Sequence, residues 1–318
     1  MLMEYLNRAS RFIPEPTLIS HKGQNGKICV IGGSIDYTGA PYFASISALK
    51  MGADLAHVIC PPEAAPIIKT YSPELMVHPI LDIISNIKDL AHLLEKMHVL
   101  VLGPGMGRDE KKIPIFQKII EVAKKLNKPM IIDADGIHFI SINPHIILGY
   151  QNLILTPNAN EFKQLYSLTI KRTDSFCATE ENVKEVAEML GGITICLKGP
   201  KDIISDGKFV MLCDRPGSPR RCGGQGDLLS GTMGVFLHWF DWKNPNKAAN
   251  LDDKQRDSQF RVDTQISNTM LAAFAACNLV RECNKKAFGK KQMSALTTDM
   301  IEEINESMKI IFKSQPNK

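Results

Sequence analysis

Residues 98–109 read HVLVLGPGMGRD. Four apolar residues, Val99 to Leu102, run without interruption into a glycine turn. A strand with one wet face alternates apolar and polar residues. An unbroken apolar strand is covered on both faces, as in a parallel sheet flanked by helices. Gly103, Gly105 and Gly107 follow at once, where missing side chains let backbone approach a ligand. Their spacing is GxGxG, not the GxGxxG of a dinucleotide fold, and the chain contains no GxxxxGK[ST] phosphate loop. If this protein handles ATP, it uses another anion cradle.

The same design recurs outward from this stretch. Strands are predicted at 28–31, 54–60, 97–102, 130–132, 153–155 and 194–197, and a hairpin at 202–205 and 208–212 turning at DGK. Helices are predicted at 41–51, 82–96, 111–127, 160–167, 180–190, 226–240, 266–285 and 298–313. Strand-then-helix alternation implies a three-layer α/β/α fold with a mostly parallel sheet. The polar stretch 243–262 reads as a surface excursion between two apolar helices that need the same core. With a frayed tail after Phe312, the expectation is one domain over residues 1–318.

Composition sets bounds. The chain has 318 residues, 44% hydrophobic and 23% charged, with a net charge of +4. That is ordinary for a globular protein and does not suggest a nucleic-acid or membrane surface. The longest apolar stretch, 271–280, is far short of the ~20 residues a membrane helix needs. Eight cysteines show no CxxC pair and sit in apolar runs such as KICVIGG, which reads as reduced thiols of a cytoplasmic protein. The N-terminus carries Glu4 and no apolar core segment, so it is not a secretory signal; an organellar form stays open.

In a parallel sheet the ligand sits at the carboxyl ends of the strands. Five such ends carry Gly, Asp, Asn or Lys: VIGGSIDYTGAP, LVLGPGMGRD, MIIDADG, ILTPNANEF and CLKGPKD. Any one could be turn chemistry; five in succession point to a shared cleft. Asp133 and Asp135 stand two apart, on one side if the strand continues, where they could orient hydroxyls or a metal. Asn158 can cap the helix that follows it, with Glu161 three residues on as a capping box. Glu161 could equally hold a Mg²⁺-bound water near phosphates.

The sharpest signal is RRCGGQGDLLSG, residues 220–231. Gly223, Gly224 and Gly226 permit a loop with inward N–H groups before a helix that is apolar on nearly every side. Asp227 at that helix start is either an N-cap or a general base. A cap needs only Ser or Thr. A carboxylate beside an anion cradle makes sense if it takes the proton of a hydroxyl attacking the phosphate, worth ~10²–10⁴-fold. The helix dipole is expected to keep Asp227 ionised.

Together, 32–58, GPGMGRD (103–109), IIDADG (131–136), LTPNANEF (155–162), LKGPKDIISDG (197–207) and RRCGGQGDLLSG resemble the ATP-dependent NAD(P)HX dehydratases of the ribokinase-like superfamily. The match covers roughly residues 20–310 in family order. NADHX and NADPHX are NADH and NADPH hydrated on the nicotinamide ring. The resemblance implies phosphorylation of the ring hydroxyl of the S form by ATP, then loss of phosphate to restore the double bond. It implies ATP and Mg²⁺ as co-substrate and cofactor, and Asp227 as the acidic residue activating the hydroxyl. Gly107, Asn158, Ala159, Asn160, Glu161, Phe162, Lys163, Gln164 and Asp227 match substrate-binding positions. Lys198, Gly199, Pro200, Lys201 and Asp202 match one ATP segment. Gly217, Ser218, Pro219, Arg220, Arg221, Cys222, Gly223, Gly224, Gln225 and Gly226 match the other, with both arginines available for phosphate charge.

Glu161 also falls on the superfamily's metal-linked acid, acting through water. Tyr37, Thr38 and Ala40 sit in the family's first glycine loop. Gln225 departs from the small residue common at its place, and 243–262 has no assignable counterpart. About 20 residues precede the first matched segment, so any NAD(P)HX epimerase is expected to be a separate partner protein. The resemblance is compatible with a homo-oligomer. Two rival readings remain: a vitamin-precursor kinase on the same scaffold, and a nucleotide-binding module without turnover.

Overall fold

The computed structural model describes residues 2–82, 87–170, 178–240 and 266–312. Its strands are β1 (Lys27–Ile31), β2 (Leu55–Cys60), β3 (Leu75–Pro79), β4 (Val99–Leu102), β5 (Met130–Ile132), β6 (Leu153–Leu155), β7 (Thr194–Leu197), β8 (Asp202–Ser205) and β9 (Val210–Cys213). Among the described residues they form one sheet in the order β3-β2-β1-β4-β5-β6-β7-β8-β9. The strands from β3 to β7 are parallel neighbours; β8 and β9 add the predicted antiparallel hairpin.

Alternation inside the apolar strands builds both sides of this sheet. Ile28, Val30, Val99, Val101, Ile131 and Ile154 face one core. Cys29, Ile31, Leu100, Leu102, Ile132 and Leu155 face the other. Each is buried, which is why the strands read as continuous apolar runs.

The first core is covered by α1 (Leu2–Ser10), α2 (Gly39–Met51), α9 (Gln225–Phe240), α10 (Asn268–Lys291), α11 (Thr297–Glu302) and α12 (Ile304–Phe312). The second is covered by α4 (Ile87–Glu95), α5 (Ile113–Lys125), α6 (Asp135–Ile142), α7 (Ala159–Ile170) and α8 (Glu180–Met189). A short α3 (Ala65–Tyr71) closes the β2–β3 end. Helix α9 is the centrepiece. A Cβ on Gly231 would lie 2.0 Å from the Ala44 carbonyl oxygen, and one on Gly234 3.4 Å from Ile28 and Val101. The two glycines let α9 press against α2 and the sheet at once.

Some elements differ from expectation. β3 is a half-exposed edge strand whose apolar run, Leu75 to Val77, gives way at once to His78 and Pro79, so it does not read as a strand. α1, α3 and α6 are short or entered through a tight turn, and were not anticipated. The helix expected over 298–313 breaks at Glu303, a buried residue whose carboxylate meets Lys286 and Lys290. The expected excursion at 243–262 and the tail after Phe312 lie outside the described residues, as do 83–86 of the helix expected from 82.

Candidate active site

The carboxyl ends of β5, β6 and β7 face the start of α9 and one side of α10 across a cavity of about 600 Å³. Its wall brings together Asn158, Glu161, Lys198, Gly199, Pro200 and Asp202 from the strand ends. From the glycine loop come Gly217, Arg221, Gln225, Gly226 and Asp227. Residues from segments more than sixty positions apart in sequence thus share one cleft, as the strand-end argument requires.

The DADG segment does not behave as a continued strand. β5 stops at Ile132, and Ala134 adopts φ +50°, ψ −121°, a conformation that disfavours side chains other than glycine's. This turn separates the two carboxylates. Asp133 stays in the cleft wall, almost wholly buried, and accepts hydrogen bonds from the Thr156 hydroxyl at 2.7 Å and the Lys198 ammonium at 2.8 Å. Asp135 opens α6 and turns to the loop after β4, where Gly107 N–H donates to it at 2.8 Å and Arg108 Nε at 3.1 Å. The expectation that both share one side therefore fails.

Lys198 is a fixed cation of the cleft wall. Burial alone would lower its pKa, but the Asp133 and Glu161 carboxylates outweigh burial and the net direction is up. A Cβ on Gly226 would lie 3.5 Å from Lys198 Nζ and 3.7 Å from Asp133 Oδ2, so the start of α9 packs on this ion pair. The rest of the 198–202 segment is braced from α10. Arg281 donates to Asp202 at 2.7 Å and to the carbonyls of Gly199 at 2.8 Å and Pro200 at 2.9 Å. Asp202 in turn accepts the Gly199 N–H at 3.1 Å. Lys201 is exposed and outside the cavity wall.

The loop from Gly217 to Gly226 is likewise held by its neighbours. Asn284 accepts from Ser218 N–H at 2.6 Å and donates to the Arg220 carbonyl at 3.2 Å. Thr297 donates to the Gly223 carbonyl at 2.6 Å. Gly224 takes φ +89°, which a side chain would strain, and makes the turn into α9. Arg220 donates Nε to the Ala295 carbonyl at 3.1 Å, so part of its guanidinium is spent on the loop; Arg221 lines the cavity. Gln225 lines it too, its amide donating to the Arg220 carbonyl at 3.3 Å. Cys222 sits against Thr297 and Gln225, while Pro219 and Gly223 are exposed.

Asp227 is the third residue of α9 and does not cap it: among the described residues nothing donates a hydrogen bond to its carboxylate. Burial pushes its pKa well above the ordinary carboxylate range; Asp133 and Asp135 push the same way and Lys198 opposes. The expectation that the helix dipole keeps it ionised is countered: the net direction is toward the protonated form. Desolvation and two neighbouring acids outweigh a dipole worth about 0.3–1 kcal/mol.

Asn158 and Glu161 form the expected capping box. Asn158 Oδ1 accepts from the N–H groups of Asn160 at 2.9 Å and Glu161 at 3.0 Å, and Glu161 Oε2 accepts from Asn158 N–H at 2.8 Å. Both still line the cavity, and burial raises the Glu161 pKa against the pull of Lys198. Ala159, Asn160 and Lys163 are exposed, Gln164 is half-buried, and Phe162 faces the core beneath. Gly107 sits on the opposite flank, tied to Asp135.

Residue reading missed Thr156 and the wall supplied by α10. Cys277, Val280, Arg281 and Asn284 line the cavity from that helix. A signal existed: Asn278, Glu282 and Asn284 are polar residues among the buried positions of this helix, with Arg281 beside them. It says that polar partners exist, not which ones.

A family model described as NAD(P)H-hydrate dehydratase matches residues 28–306. The chain is 43% identical over 309 residues to the ATP-dependent (S)-NAD(P)H-hydrate dehydratase of Homo sapiens, spanning 97% of this chain and 85% of that protein. The protein of the same name from Danio rerio is 44% identical over 302 residues, spanning 95% and 87%. A solved structure of the ADP/ATP-dependent NAD(P)H-hydrate dehydratase from Bacillus subtilis, co-crystallized with ATP/Mg²⁺, matches with a TM-score of 0.66. It is 20% identical and covers 95% of this chain and 96% of that one, a likeness of fold.

Proposed function

The chain belongs to the NAD(P)H-hydrate dehydratase family, and we propose that it dehydrates the S form of hydrated NADH and NADPH at the expense of ATP. The products are NADH or NADPH, ADP and phosphate. The observation that carries the residue assignment is Asp227. It is a carboxylate with no hydrogen-bond donor among the described residues, at the mouth of a buried helix, in one cavity with Lys198 and Gly226.

Asp227 accepts the proton of the ring hydroxyl as that oxygen attacks the terminal phosphorus of ATP and ADP departs. A base whose pKa is raised by burial holds that proton more firmly than an exposed carboxylate would. The start of α9 at Gln225 and Gly226 and the Lys198 ammonium line the cavity where they can stabilise the charge that develops on the transferred group. Phosphate then leaves the ring carbon with the bonding pair. Loss of a proton from the adjacent carbon restores the double bond. Phosphate is a far better leaving group than hydroxide, which is why ATP is consumed.

The residues fit Mg²⁺. Glu161 lines the cavity, and among the described residues only one of its two carboxylate oxygens is engaged, by Asn158 N–H. A hydrated Mg²⁺ needs few protein ligands, so Glu161 would hold it through water. When bound, the ion supplies charge neutralisation on the phosphates.

This reading includes a separate epimerase to supply the S form, and a reducing compartment, the cytoplasm. The seven cysteines among the described residues are all free thiols, which supports the latter. No helix among the described residues is long and apolar enough to cross a membrane.

The test is incubation with hydrated NADH, ATP and Mg²⁺ while following the absorbance of the reduced ring and free phosphate. Return of absorbance with stoichiometric phosphate is expected. A phosphoester that accumulates without absorbance would make the protein a kinase on this scaffold. Binding without turnover would make it a sensor.

A further inference from the structure

Ser34 follows β1, the strand beside β4, at the flank of the cleft away from Lys198. Its side chain is only 8% exposed, yet its hydroxyl has no hydrogen-bond partner among the described residues. A buried hydroxyl without a partner is costly, and native folds keep few of them without a use.

The surroundings indicate the use. A Cβ built on Gly107 would lie 3.9 Å from Ser34 Oγ and 4.0 Å from Lys112 Nζ, with nothing closer. The side chain that Gly107 lacks therefore leaves a small space flanked by a hydroxyl and an ammonium. Lys112 donates one N–H to the Met106 carbonyl at 2.6 Å and has two further N–H groups to offer. Of the acids nearby, Asp135 is already engaged by Gly107 N–H and Arg108 Nε, and Asp82 lies within electrostatic reach of Lys112 with no hydrogen bond between them among the described residues. What faces the space is a pair of donors, one of them cationic, and that pair suits an oxyanion.

We propose that Ser34 and Lys112 form, over Gly107, a subsite for a phosphate oxygen of the hydrated dinucleotide. The proposal rests on the dehydratase reading above. Two sources carry this chemistry. The pyrophosphate is common to both substrates; the 2′-phosphate belongs to NADPHX alone.

The experiment uses the full chain, with Ser34→Ala and Lys112→Gln, and measures KM for NADHX, NADPHX and ATP. It adds calorimetric binding of ADP-ribose and 2′-phospho-ADP-ribose, and the melting temperature of the ligand-free protein. For the pyrophosphate source, KM for both hydrates rises about 5- to 20-fold and ADP-ribose binding weakens in step. KM for ATP stays within twofold. For the 2′-phosphate source, only NADPHX and 2′-phospho-ADP-ribose are affected. In either case ligand-free Ser34→Ala melts no lower than wild type, because the lost hydroxyl had no partner. Unchanged affinity for both hydrates and both ADP-ribose probes overturns the subsite, as does an equal rise in the ATP KM. Failure of wild type to turn over hydrated NADH sinks the dehydratase reading instead, and the two ADP-ribose probes then test the subsite alone.

Discussion

The Lys198 ammonium stands 2.8 Å from the Asp133 carboxylate, and a Cβ on Gly226 would touch both, at 3.5 and 3.7 Å. Strand end, cation and helix mouth are thereby locked into one unit. Thr156 adds a 2.7 Å hydrogen bond to the same carboxylate oxygen, so Asp133 has little freedom to move.

Breaking this unit should weaken ATP binding through Lys198. Asp133→Asn keeps the shape and loses the charge; a rise of about tenfold or more in the ATP KM is expected, about 1.4 kcal/mol per factor of ten. In a Lys198→Met background the same change should matter far less, with a coupling of about 0.5–3 kcal/mol in the double-mutant cycle. Additive effects would mean that Asp133 acts on something other than Lys198.

Asp227→Asn should lower kcat by about 10²–10⁴-fold while ATP binding stays within threefold. The variant should also melt higher than wild type without ligands, since it removes the cost of burying an ionisable carboxyl next to Asp133 and Asp135. Turnover near the wild-type rate would remove Asp227 from the mechanism.

The pH dependence follows from direction alone. A general base works deprotonated, and Asp227 has a folded pKa raised by burial and by Asp133. Activity in kcat/KM, which reports the free enzyme, should therefore fall on acidification at a pH above the ordinary Asp value of about 3.9. Asp133→Asn removes a neighbouring negative charge and should move that acid limb to lower pH. A limb that stays in place under this substitution contradicts the electrostatic account.

Gly231→Ala tests the packing beneath the site. Its Cβ would fall 2.0 Å from the Ala44 carbonyl oxygen, so α9 and α2 must separate. Overpacking of this kind costs about 1–3 kcal/mol or more, read as a lowered melting temperature. Activity should fall further than stability alone explains, because Asp227 and Gly226 ride on the same helix. An unchanged melting temperature would show that the two helices are not in close contact.

Periodicity made the sheet legible. Val99 to Leu102 and their counterparts are apolar at every position because each faces one of two cores, and this pattern is written locally. The cleft at the strand ends and the glycine turn leading to Asp227 were legible for the same reason: short-range chemistry marks turns and helix starts. β3 was not, because its apolar run at a half-exposed edge stops after three residues at His78 and Pro79. The divergence of Asp133 from Asp135 was not either, because it hinges on the unusual backbone of Ala134, to which an alanine in the sequence gives no clue.

What the amino-acid order settled by itself, then, was the layered architecture and which segments end at the cleft, since burial on two faces and loop chemistry act over a few residues. Only the tertiary structure decided that Lys198 meets Asp133, that Arg281 and Asn284 of α10 brace the 198–202 and 217–226 segments, and that Asp227 is pushed toward its protonated form. Ion pairing and desolvation depend on distances between groups far apart in the chain, and the folded protein alone sets those distances.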